Sequence, residues 1–227
     1  MGYHLIMSLR EIISQVKQRV FNYSIVNMQG FKDWRNSDFP SPLPPQMKIK
    51  VLKRWGGVGT WVESGTYFGK TSHALSKFSN QVYTIEPDPK LHQAAAKKYG
   101  KIANIRFING LSEEKLIEIL DGLDCEGKKD ISFWLDGHFS AGVTFKGPTD
   151  TPIMQELETI EREISKFEQV TVLVDDVRCF NPENPNYSSY PDLNYLVSWA
   201  QKLNLFWIIE YDIFIATNRR DRPYLKS

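Results

Sequence analysis

The chain has 227 residues, 41% of them hydrophobic and 13% aromatic, with 28 Lys and Arg against 27 Asp and Glu for a formal charge of +1. That length fits one large domain, or one domain with an extra segment, and the apolar content excludes a disordered polymer. The balanced charge lacks the basic excess of a dedicated nucleic-acid binder, so nucleic acid is not the expected partner.

Two cysteines, Cys125 and Cys179, supply neither a disulfide framework nor a four-ligand zinc set, and they read as a reduced, cytoplasmic protein. No apolar run approaches the roughly 18 residues of a membrane helix, so no transmembrane segment is expected. Ile6 stands where an N-myristoylation motif wants Ser or Thr, and the first residues lack a signal-peptide pattern.

In chain order, Leu5, Leu9, Ile12, Ile13, Val16 and Val20 recur at helical spacing with basic residues between them, which predicts an amphipathic helix over 5–21. Such a helix is a packed cap, a membrane-surface element or the contact of a homodimer. The prolines between Phe39 and Pro45 break helix and ladder alike and mark a linker. Residues 1–46 are therefore expected to form a helical extension with a Pro-rich linker, and 47–227 the main domain. Met47 to Trp55 resumes helical spacing, and Gly56-Gly57 stops it.

From there short β-rich runs alternate with helical ones. Strands are predicted at Thr60–Glu63, Gln81–Glu86, Ile105–Ile108, Asp130–Asp136 and Val170–Asp175, with helices near 70–79, 89–99, 112–120, 152–167 and 191–203. This alternation predicts an α/β fold, a doubly wound, mostly parallel sheet. Leu205–Glu210 and Ile213–Thr217 are separated only by a turn at Tyr211-Asp212, and so short a connection joins antiparallel neighbours. The last strand is thus reversed.

Ligands of open parallel sheets bind beyond the carboxyl ends of the strands, and those ends are acidic here. The first leads into Glu63-Ser64-Gly65-Thr66-Tyr67-Phe68-Gly69-Lys70-Thr71, where the glycines allow a ligand to approach backbone. The second ends in Glu86, about 20 residues beyond, placed to accept ribose hydroxyls. A phosphate-binding P-loop is the rival reading of Gly65 to Thr71. It needs four residues between its glycines, whereas three stand here, and Glu63 opposes a polyphosphate.

Glu63-Ser64-Gly65 with Gly69, Ile85-Glu86-Pro87-Asp88 and the terminal hairpin together resemble the class I S-adenosylmethionine-dependent methyltransferases over about residues 58 to 217. The resemblance implies a Rossmann-like fold, with Glu63, Gly65, Thr66 and Gly69 around the methionine part of the cofactor and Glu86 at its ribose. Leu111 stands where an acid is common near the adenine, which leaves Ser112 for that side. Asp136-Gly137-His138 and Val174-Asp175-Asp176 resemble the metal-dependent O-methyltransferase branch, which includes catechol and macrolide- or aminocoumarin-sugar enzymes.

By that resemblance Asp136, Asp175 and Asp176 hold Mg²⁺, and three carboxylates suit such a hard cation. The alternative is that these aspartates cap helices or satisfy loop amides. His138 departs from the Asp-Gly-Asp of sugar-modifying relatives. It reads either as a general base beside the candidate catalytic residue Asp136 or as a hydrogen-bonded surface group. Loops Phe139–Thr151 and Arg178–Pro191, the latter with Phe180, Tyr187 and Tyr190, are candidates for the acceptor side. The tail from Arg219 to Arg222 is expected to be solvated.

The expected function is methyl transfer to a hydroxyl of a sugar, glycan or small natural product. A nucleotide-dependent phosphotransferase and a non-catalytic cofactor-binding scaffold are the alternatives.

Overall fold

A computed structural model describes residues 29–36, 42–136, 151–181 and 183–221. The chain divides into two compact units, Met1–Met47 and Lys48–Ser227. The helix expected over 5–21 and the start of the proline stretch, residues 39–41, lie outside the described residues, while the last proline of the stretch, Pro45, already belongs to a helix. In the first unit residues 29–36 are helical, with Phe31 stacked on Trp34 at 5.9 Å between ring centroids.

Helix α1 (Pro45–Trp55) has a proline at its first position, where the fixed φ suits a helix and the missing N–H is no loss. Lys53 and Arg54 sit in its last turn, where the helix dipole favours cations. It buries Val51, Leu52 and Trp55, and ends at Gly56, where a Cβ would collide with the Trp61 ring.

Seven strands follow: β1 (Thr60–Ser64), β2 (Gln81–Glu86), β3 (Ile105–Asn109), β4 (Asp130–Leu135), β5 (Gln169–Val174), β6 (Phe206–Glu210) and β7 (Ile213–Thr217). They form one sheet in the order β3-β2-β1-β4-β5-β7-β6. Every pairing from β3 across to β5 is parallel, and β7 runs antiparallel to both β5 and β6. The reversed last strand is thus present.

Helices α2 (Lys70–Leu75), α3 (Pro89–Tyr99), α4 (Ser112–Cys125), α5 (Ile153–Glu163) and α6 (Leu193–Lys202) connect the strands. α4 extends beyond the expected end because Leu120 and Leu123 continue its apolar stripe. The run expected over 152–167 instead breaks into α5 and a 3₁₀ turn over Ile164–Lys166. Leu116 and Leu120 of α4, Leu157 and Ile160 of α5, and Leu196 and Trp199 of α6 share one core with Val62, Phe133, Val172 and Phe214 of the sheet. Each such fully buried side chain contributes about 1.5–3 kcal/mol.

Register places the site. Ser64 pairs with Ile85 on one side and Leu135 on the other, and Leu135 pairs with Val174. The ladder continues one step, with the Asp136 N–H donating to the Ser64 carbonyl at 3.2 Å and the Asp175 N–H to the Leu135 carbonyl at 3.0 Å. The residues just past β1, β4 and β5 therefore stand level, across the point where the strand order reverses between β1 and β4.

One expectation fails at the opposite end of the sheet. Arg219 is 7% exposed rather than solvated. Its guanidinium donates to Thr171 Oγ1 at 3.1 Å and Gln169 Oε1 at 2.7 Å, and it pairs with Asp130. It tethers the end of β7 to the starts of β4 and β5, and its charge is met by a carboxylate, as burial requires.

Candidate active site

The loop after β1 wraps tightly. Gly65 and Gly69 have φ of 83° and 73°, and Tyr67, which is not glycine, is also left-handed at 50°. The Gly65 and Thr66 N–H groups both donate to the Ile85 carbonyl at 3.1 Å. A Cβ on Gly69 would press on the Tyr99 ring and meet a disfavoured φ.

Glu63 lies entirely buried below this loop. One of its oxygens accepts the hydroxyls of Ser72 and Thr84, while Oε1 has no hydrogen-bond partner among the described residues. Burial outweighs those hydroxyls and pushes its carboxyl up to about 8, with the nearby charges of Asp136 and Glu86 adding to the rise. Thr66 is also buried, its hydroxyl 2.5 Å from that of Thr84.

Glu86 closes β2. Its two oxygens accept the backbone N–H groups of Tyr67 at 2.7 Å and Asp88 at 3.0 Å, so one carboxylate ties the glycine loop to the turn after β2. Burial raises its pKa despite these bonds. Asp88 caps α3 through the N–H groups of Lys90 and Leu91, which accounts for that acid structurally. Ser112 opens α4 and is buried.

Across the reversal point, Asp136, Asp175 and Asp176 offer carboxylate oxygens that all lie within 4.8 Å of one another. The sequence thus named three residues that the fold brings together. Asp176 has a left-handed φ of 56° and no side-chain capping bond. It pairs instead with Arg178 Nη1 at 2.7 Å, and Arg178 also holds Asp212 from the turn between β6 and β7. Asp175 is 4% exposed, and its Oδ1 has no hydrogen-bond partner among the described residues.

This donor set fits a hard divalent cation: oxygen ligands only, converging from two adjacent strand ends, with one buried carboxylate oxygen unspent. His138 and the loop over 139–150 lie outside the described residues.

Three contributors were missed by the sequence reading. Lys48 of α1 is ion-paired with Asp175, lies 3.7 Å from Asp176, and rides 5.8 Å from the centre of the Trp134 ring. Burial alone would lower its pKa. The charges of Asp136, Asp175 and Asp176 and the Asp175 bond overcome that and raise it. Asp175 is raised too, by burial and then by Asp136 and Asp176, against the pull of Lys48. A cluster with excess negative charge makes protons harder to remove from acids and bases alike.

The second is Glu156 of α5, wholly buried, with its carboxyl pushed up to about 7 by burial. It joins Asp136, Asp175, Thr151, Phe180 and Tyr190 around a cavity of about 10 Å³, room for one water. A signal for it existed: Ile153, Glu156, Leu157 and Ile160 share one helical face, so an acid occupies a core position. The third is the Arg178–Asp212 pair, whose partners lie 34 residues apart. After β5, Phe180 meets Tyr190 edge-on at 5.3 Å, and Tyr190 meets Tyr187 at 6.2 Å.

No protein-family model matches the chain, and no curated protein matches it in sequence. Solved structures do match. A Staphylococcus aureus protein assigned as a caffeoyl-CoA O-methyltransferase shares 16% identity at a TM-score of 0.53, over 86% of this chain and 97% of its own. The Podospora anserina methyltransferase PaMTH1, with S-adenosylhomocysteine bound, shares 14% at 0.50, over 97% and 100%. An rRNA methylase from Streptococcus thermophilus matches at 15% and 0.44, over 77% and 95%. The sheet order, the reversed β7 and the first two of these neighbours agree: the fold is that of the S-adenosylmethionine-dependent methyltransferases.

Proposed function

We propose that this protein is an S-adenosylmethionine-dependent O-methyltransferase acting on a hydroxyl of a sugar, glycan or small natural product, with Mg²⁺ as its cation. The observation that carries the reading is the run of carboxylates at the level strand ends. Glu63 and Glu86 stand with the glycine loop, and Asp136 and Asp175 follow across the reversal point. Glu86 and the aspartates bring negative charge there, which attracts a cationic sulfonium and repels a polyphosphate. The glycine loop is one residue short of a P-loop, which speaks against the phosphotransferase reading.

When bound, S-adenosylmethionine supplies the reactive methyl and Mg²⁺ lowers the pKa of a ligated hydroxyl. The rest is the work of this chain. Gly65, Thr66 and Gly69 shape the loop around the methionine part, Glu86 accepts the ribose hydroxyls, and Ser112 borders the adenine side. Asp136, Asp175 and Asp176 would hold the cation. Asp136 or His138, two residues further on, takes the acceptor proton. Tyr187 and Tyr190, backed by the buried Phe180, offer aromatic surface on which a glycosyl or phenolic ring can rest. The balanced charge of the chain favours a small acceptor over nucleic acid.

The test is methyl transfer from labelled S-adenosylmethionine to a panel of sugar, phenolic and RNA acceptors, with Mg²⁺ and with chelator. Transfer to hydroxyl acceptors that stops in chelator is the expected result. Transfer to RNA alone, or binding of ATP in place of S-adenosylhomocysteine, would overturn the reading.

A further inference from the structure

Among the carboxylates gathered at the strand ends stand two groups of opposite charge, Arg178 beside Asp176 and Lys48 beside Asp175. Lys48 projects from α1, an element that precedes the sheet, and reaches the two aspartates after β5. Its ammonium bonds Asp175 Oδ2 and lies 3.7 Å from Asp176 Oδ1, while the side chain keeps 15% of its exposure. The Trp134 ring lies 5.8 Å away, and an aromatic face adds further attraction for a cation held in low dielectric. Asp176 shares its other positive neighbour, Arg178, with Asp212. Among the described residues Lys48 is therefore the cation closest to Asp175.

We propose that Lys48 is a resident counter-ion of the Asp136–Asp175–Asp176 cluster, that it competes with the divalent cation for the same carboxylates, and that it thereby sets the concentration at which the site fills. This rests on the reading of those three aspartates as the cation's ligands.

The competition follows from charge and space. A divalent ion binds carboxylate oxygens at about 2.0–2.6 Å, and the three acids offer oxygens within 4.8 Å of one another. An ion among them lies within a few ångströms of wherever Lys48 bonds Asp175. Even if the ion took Oδ1 while Lys48 kept Oδ2, two cations would face each other across one carboxylate in a buried site, where repulsion is strong. The ammonium must withdraw or the ion binds weakly. In its absence the same ammonium offsets repulsion among the acids, so the site keeps its shape while empty of metal.

The experiment measures cation binding directly. Mn²⁺ is titrated, by its electron paramagnetic resonance signal and by calorimetry, into full-length wild type, Lys48→Met, Lys48→Gln and Lys48→Arg without cofactor or acceptor. Removal of the charge should tighten Mn²⁺ binding by about tenfold or more, whereas Lys48→Arg should remain as weak as wild type. A purely structural lysine gives the opposite sign, because its loss would loosen the cluster. In the wild type, Mg²⁺ should also raise the rate at which an amine-acylating reagent modifies Lys48, read by mass spectrometry. Equal or weaker Mn²⁺ binding in the neutral variants, or labelling of Lys48 indifferent to Mg²⁺, overturns the proposal. S-adenosylhomocysteine binding, titrated separately in the same proteins, judges the methyltransferase reading on its own.

Discussion

Thr84 faces Glu63 in the register of β2 and β1, and its hydroxyl donates to the buried carboxyl at 2.7 Å while lying 2.5 Å from the hydroxyl of Thr66. One side chain thus joins an interior acid to the glycine loop after β1. Thr84→Val keeps the shape and removes both bonds. We expect a loss of about 1–3 kcal/mol, the range for a buried polar group deprived of its partner, read from urea unfolding, together with weaker S-adenosylhomocysteine binding. Unchanged stability would show that Ser72 alone satisfies Glu63.

Glu86→Ala should weaken binding of both S-adenosylmethionine and S-adenosylhomocysteine by about 1.5–3 kcal/mol, since it removes a charged acceptor from ribose hydroxyls. The carboxylate also holds the Tyr67 and Asp88 N–H groups, so part of the loss is loosening of the loop. Calorimetry that finds wild-type affinity would reject Glu86 as the ribose ligand.

Most of the sheet was legible because apolar runs bounded by turn residues state their own limits. β2, α3 and β7 begin and end where the sequence places them. Asp136, Asp175 and Asp176 were legible for the same reason, since they stand at or just past the ends of the runs predicted over Asp130–Asp136 and Val170–Asp175. Lys48 was not. It stands in a helix beside Lys50, Lys53 and Arg54, and only the seating of α1 distinguishes it from those neighbours. Arg219 was read as solvated because its near neighbours are charged, yet its partners Asp130, Gln169 and Thr171 lie 48 to 89 residues away.

Asp175→Asn should reduce divalent-cation affinity and, with it, turnover. Chelator should stop methyl transfer in the wild type while leaving S-adenosylhomocysteine binding largely intact. A variant that keeps full activity in chelator would remove the cation from the reaction.

His138→Ala should retain cofactor and cation but slow methyl transfer by about 10² to 10⁴-fold, the range for loss of a general base. A wild-type rate would leave Asp136 as the base. Single-turnover measurements under saturating acceptor separate this from a binding effect.

Glu156 gives a pH prediction with a definite sign. Its folded pKa of about 7 exceeds the ordinary glutamate value of 4.5, so between those values the folded state binds more protons than the unfolded one. Its contribution is present in full below the ordinary value and is lost as pH rises through about 7. Glu156→Gln removes the titrating proton, and its melting temperature should fall less than that of wild type between about pH 5 and pH 8. Parallel melting curves for the two proteins would mean that Glu156 does not titrate in that window.

The far end of α1 is held by the last hairpin. Trp55 Nε1 and Arg54 Nη1 both donate to Glu210, at 2.5 and 2.7 Å, across more than 150 residues of chain. During synthesis α1 emerges first among the elements around the carboxylate cluster, and its anchor at the end of β6 emerges after β1 to β5 have all left the ribosome. At translation speeds of about 5–20 residues per second, the helix that carries Lys48 waits many seconds for its fastening. Order of manufacture and order of completion are therefore opposed: a nascent chain halted before Glu210 lacks the anchor of α1, however well its parallel strands have paired.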